Sequence, residues 1–261
     1  MSVFKVIAKG AVAFYDELFF YFLVGLVHLV AWGLFAFGLW LYWGMFVNGF
    51  TLIHLVAWVL FIPGPFALTA VYVIGQRAVR IKGVNWQLIW ERVKAFGPRA
   101  WLLFFLVVLG YVVIASNLWF YNSEISPFPQ SVATWTTPLF LMLGLLWTGT
   151  MFYAQSFLME LVEPTIRTVF RNSLFLTILK PIPTLILIIV SILAFALSVA
   201  LPILLLVSPG FISALSLSAV RTFVTELSEK YEELEQEDDE AEAAAETESD
   251  DDLDEPADGA A

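Results

Sequence analysis

Residues 28–32 and 54–58 both read HLVAW, and these two strings hold the only histidines of the chain, His28 and His54. An imidazole inside an apolar segment can ligate a metal, relay a proton, or hydrogen-bond to a neighbouring helix. A shared metal needs further ligands, and the sequence offers no cysteine and no carboxylate close to either histidine. On helices running in opposite directions, His28 lies about ten residues deep and His54 about four, so the two imidazoles sit at different depths. Packing within a duplicated segment therefore outweighs a paired histidine site.

The second chemical feature is the string Ile62-Pro63-Gly64-Pro65. Two prolines remove two backbone donors and clash with the carbonyls four residues earlier, on Val59 and Phe61. Carbonyls freed inside a membrane must find protein, water or a ligand, so Pro63, Gly64 and Pro65 mark either a kink or the lining of a pathway. Thr69 and Asn117 are the polar groups expected beside them. There is no Walker loop, no G-x-S-x-G, no H-E-x-x-H and no carboxylate pair within an apolar segment. No enzyme activity, no cofactor and no metal are expected.

These residues must be positioned by membrane helices. Sixty per cent of the chain is hydrophobic and only fourteen per cent charged, which excludes an ordinary soluble domain. Eighteen of the 24 acidic residues fall between Glu226 and Asp258, so the negative net charge belongs to a tail and the body is basic. Residues 18–76 contain no charge, a length of roughly 90 Å as helix against a hydrocarbon core of about 30 Å. Residues 100–123 and 125–159 allow one crossing each, and 181–220 allow two with a turn at Pro209-Gly210. The expected fold is an all-α polytopic bundle of six transmembrane helices over 18–227. It is preceded by an amphipathic cytoplasmic lead-in over 1–17 and followed by a disordered acidic tail over 228–261. With six crossings all thirteen Lys and Arg lie on one side, which the positive-inside rule makes cytoplasmic, together with both termini, in the cell membrane.

Between crossings, VNWQLIWERVKAF places Trp86, Ile89, Trp90, Val93 and Phe96 at helical spacing, with Arg92 and Lys94 elsewhere on the wheel. That pattern suits an interfacial helix on lipid, or a docking helix for a cytoplasmic partner. Glu163 and Arg167 stand four apart, as a local helical ion pair would require. They complete, with Arg171, the candidate cytoplasmic interface. The tail is a solvated polyanion or a weak lure for a basic partner or divalent cations.

The run from Gly64 to Tyr121 resembles the YesL-like family of bacterial membrane proteins. The matching elements are Pro65 to Ala70, the basic linker Arg77 to Lys82, the aromatic segment Trp86 to Phe96, and Asn117 to Tyr121, with FYDELF at 14–19 and Arg171-Asn172 leading to Lys180-Pro181. The resemblance implies an accessory of carbohydrate or other solute uptake, partnered by a transporter complex or other membrane protein and by the lipid bilayer, with no nucleic acid. It gives no precedent for two histidines, because one extra copy of about 26 residues would account for the repeat. The alternative is a membrane scaffold or regulator acting through the aromatic helix and the acidic tail.

Overall fold

The computed structural model describes residues 3–48, 59–123 and 126–251, and among them the secondary structure is helical, with no strand. The helices are α1 (Val3–Asp16), α2 (Leu18–Asn48), α3 (Pro63–Val79), α4 (Trp86–Asn122), α5 (Gln130–Glu160), α6 (Ile166–Leu179), α7 (Pro181–Ala200) and α8 (Ser208–Asp251), with a 3-10 turn at Pro202–Leu206. Four stretches are long and apolar enough to cross a membrane: Leu18–Gly44, Trp86–Asn122, Ser131–Glu160 and Pro181–Ala200. The chain divides into two compact units, Met1–Val220 and Arg221–Ala261.

Within the first unit, burial changes along the helices. The upper parts of α2, α4 and α5 expose rows of Leu, Val and Phe, including Val108, Leu109, Val112 and Val113, as a surface facing lipid would. Lower down, Val71 to Gln76 of α3, Tyr153 to Met159 of α5 and Ser213 to Val220 of α8 are all buried. This base is protein packed on protein, and its interior is rich in hydroxyls.

Close backbone contacts build the base. A Cβ at Gly10 would stand 3.1 Å from Leu215 Cα, and Gly25 meets the backbone of Leu206. The Phe14 and Phe211 rings lie 5.8 Å apart. The start of α8 therefore runs antiparallel to α1 and the first turns of α2. Glu17 sits in the one-residue break between α1 and α2. Partial burial, reinforced by neighbouring Asp16, raises its carboxyl above the usual value.

Several expectations change. Of the pair expected to cross at 182–207 and 210–227, α7 is among the four stretches that can span. Thr184 at the start of α7 bonds Tyr153, and Leu206 after it touches Gly25. The lead-in over 1–17 is a helix that buries Val6, Gly10 and Ala13 against protein. The aromatic helix is not separate from the next crossing. It forms the first turns of α4, with Pro98 inside the helix, and it buries Ile89, Val93 and Phe96 while Trp86 and Trp90 stay exposed.

In the second unit, α8 continues to Asp251 where a disordered tail was expected from 228. Its Glu, Ala and Leu content has high helix propensity, which outweighs like-charge repulsion locally. Residues 252–261, and the first part (51–58, with His54) of the helix expected over 51–76, lie outside the described residues.

Gly75 and Gly33 should respond to substitution in opposite directions. A Cβ at Gly75 would stand 2.8 Å from Leu217 Cδ1 and 2.9 Å from Ser213 Oγ, whereas Gly33 has nothing within 4 Å. Gly75→Leu is expected to lose about 1–3 kcal/mol by overpacking. Gly33→Ala should gain up to about 1 kcal/mol of helix propensity. Thermal unfolding in detergent measures both.

Candidate functional site

The polar groups the sequence pointed to are only partly brought together. Trp32 lies over Gly64, where a Cβ would stand 3.6 Å from the indole, and its ring is 5.9 Å from that of His28. Phe35, Phe61 and Phe104 complete an aromatic cluster, Phe35 meeting the other two at 5.0 and 5.7 Å. His28 Nδ1 and Trp32 Nε1 are buried without a hydrogen-bond partner among the described residues. No group of three His, Asp or Glu stands close enough to hold a metal ion among them either.

Val59 and Leu60 are helical, Phe61 and Ile62 form a turn and bend, and Pro63 begins α3, so the string lies at a break between two helical stretches. Ile62 is the N-cap of α3, without a side-chain cap. A helix starts with four unpaired N–H groups, and prolines at the first and third positions remove two of them. That is why Gly64 and Pro65 can be buried. The Val59 carbonyl, expected to be orphaned, accepts from Ile62 N–H at 3.3 Å. Thr69 does join this feature, donating to the Pro65 carbonyl at 2.8 Å. Asn117 does not. Its amide donates to Val113 of its own helix at 2.7 Å, and it lies about 20 Å along α4 from Phe104.

The strongest polar constellation is one the sequence reading missed, in the base. α5 ends at Glu160, which leaves its last carbonyls without intrahelical donors. The buried Gln76 Nε2 donates to the Met159 carbonyl and so caps this end from α3. One turn further along α3, Arg80 Nη2 bonds Glu160 Oε2 at 2.6 Å. A cation at the carboxyl end of a helix also complements its dipole. Ser216 of α8 donates to the Phe152 carbonyl at 2.6 Å and shares a 2.6 Å hydroxyl contact with Ser156. Tyr153 and Thr184 hydroxyls meet at 2.9 Å, tying α5 to α7. α3, α5, α7 and α8 are thus fastened in one layer. The available signal was Gln76 closing the charge-free run four residues before Arg80, and the alternating serines at 213, 216 and 218.

The candidate cytoplasmic interface resolves into separate parts. Trp86 and Trp90 are 51% and 62% exposed. Trp86 packs 5.6 Å from Phe20, Lys94 Nζ sits 5.0 Å over the Trp90 ring, and Arg92 lies 5.6 Å over Phe96. Glu163 and Arg167 form no ion pair. Pro164 disfavours helix at the residue before it, so Glu163 stays in a bend and α6 starts only at Ile166, with Thr165 and Thr168 as a capping box. Arg171 is exposed on α6.

The connection from α3 to α4 holds a backbone outlier. Ile81 has φ 53° and is 95% exposed. Ile81 N–H donates to the Ala78 carbonyl and Lys82 N–H to the Arg77 carbonyl, both at 3.0 Å. These are the bonds of a Schellman cap, in which glycine is the preferred residue at the left-handed position. No family model, no curated protein and no solved structure matches this chain.

The layer predicts a hierarchy among its glutamines. Gln76→Leu leaves the Met159 carbonyl buried and unpaired and should cost about 1–3 kcal/mol. Gln155 Nε2 is buried with no partner among the described residues, so Gln155→Leu should cost far less. Melting of both variants in one detergent checks the order.

Proposed function

We propose that this chain is an integral membrane scaffold that offers a docking surface for a partner protein at its basic end. The observation that carries this reading is Ile81. A β-branched residue in the left-handed region costs roughly 1–2 kcal/mol relative to glycine, and this one is spent on an exposed side chain. Strain retained at a surface position suggests a use for that surface. Trp86, Trp90, Arg92 and Lys94 follow on the first turns of α4. Trp and Arg are among the residues enriched at protein interfaces.

The basic end is assigned to the cytoplasm, with both termini, by the positive-inside rule. The segment 181–220 returns to the side it came from, in place of two of the six expected crossings. Lys180 and Arg221 share a side under either count, so the charge rule is kept. The dense bonding of the base favours a scaffold over a solute path, because its polar side chains are spent on backbone carbonyls and on one another.

Association with a solute-uptake system is the second reading. It draws on the YesL-like resemblance and on the aromatic cluster over the start of α3, where two polar nitrogens have no partner among the described residues.

Replacing Ile81 by glycine separates stability from docking. Ile81→Gly should raise the melting temperature in detergent. It should also weaken a protein adduct formed in native membranes by a photo-crosslinking residue at Trp90, and a crosslinker at Trp119 should give none of that adduct. Lipid adducts alone at position 90, unchanged by Ile81→Gly, would overturn the scaffold reading.

A further inference from the structure

α6 packs back along α5 after a short connection, bringing Thr177 against Gly149. Its outward face carries Arg167, Arg171, Leu174 and Ile178, all exposed. Neither arginine is engaged in an ion pair among the described residues, and Glu163, the nearest acid in sequence, lies in the bend before the helix. Two turns beyond Arg171, about 10 Å along the helix, Ile178 enters the wall of a groove of about 280 Å³. Met142 and Leu145 of α5 and Pro181, Ile182 and Leu185 of α7 form much of the rest. The two hydroxyls in the lining are spent inward, Thr177 on the Ser173 carbonyl and Thr184 on the Lys180 carbonyl. The groove therefore offers nothing but apolar surface.

We infer that this groove and the arginine face below it hold one anionic phospholipid, its phosphate on Arg171 and Arg167 and an acyl chain in the groove. The order of groups along α6 matches the order along such a lipid. Cations lie toward the Glu160 end, two exposed apolar residues follow, and the groove opens toward the middle of the bundle. Guanidinium is suited to a phosphate diester because its fork donates two parallel bonds. A partner helix would fill the groove but leave two arginines without an anion. The inference uses the assignment of the basic end to the inner leaflet and is independent of the Ile81 surface, whose crosslinking test can fail separately.

The test reconstitutes the full chain in bilayers of equal parts phosphatidylcholine and phosphatidylglycerol, re-extracts it in mild detergent and quantifies retained lipid. Wild type should retain phosphatidylglycerol preferentially. Arg167→Gln with Arg171→Gln should reduce it roughly tenfold or more, as expected for two arginines at an anionic surface. Arg92→Gln with Lys94→Gln removes the same charge elsewhere and should leave retention unchanged. Ile182→Trp, which fills the groove, should lower retention with the melting temperature kept. Equal loss in both charge-removal pairs would reduce the effect to diffuse electrostatics and overturn the site. So would retention that ignores Ile182→Trp, or a wild type that prefers neither lipid.

Discussion

Every helix end in an apolar surrounding leaves backbone groups that water cannot reach, and this chain must satisfy them from within. It does so in two ways. Where helices begin, prolines remove the donors: Pro63 and Pro65 at α3, and Pro181 at α7, occupy first-turn positions. Where α5 ends, Gln76 reaches across from α3 to take the Met159 carbonyl, and Arg80 follows with Glu160. The position of α3 beside α5 follows from that cap.

The hydroxyls of the base obey the same constraint. Ser173, Thr177, Ser191 and Ser198 each donate to the carbonyl four residues earlier on their own helix. Such bonds let a hydroxyl be buried with no partner on a neighbour, while the small side chain allows helices to approach. Ser213 and Ser216 add carbonyls of other helices, Val71 and Phe152. The base is polar inside and packed, the upper helices apolar outside. That difference along single helices fits a protein held by its upper part in lipid and by its lower part to itself.

Much of this was legible in the sequence. Composition gave the helical membrane class, and charge-free length located the stretches that can cross. The turn expected at Pro209-Gly210 falls just inside α8, which begins at Ser208. Two things were not legible. Length could not say where 181–220 ends up, because a chain long enough to cross can also return. The amphipathic pattern of 86–96 could not say which apolar residues meet protein: Ile89 and Val93 do, Trp86 and Trp90 do not. Gln76 was overlooked because a single amide carries no motif, and its role needs the end of α5 beside it.

The proposed return of α7 and α8 to the basic half is the claim on which this reading turns. A short bis-maleimide crosslink between cysteines placed at Phe14 and Phe211, in this cysteine-free chain and in native membranes, tests it most directly. The two rings lie 5.8 Å apart here, so the reagent should join the pair and give a faster-migrating monomer. With 182–207 and 210–227 as a crossing pair, Phe211 would stand about 30 Å away at the opposite face. Failure of that pair to crosslink, while both cysteines are present and the protein is inserted, would contradict the arrangement.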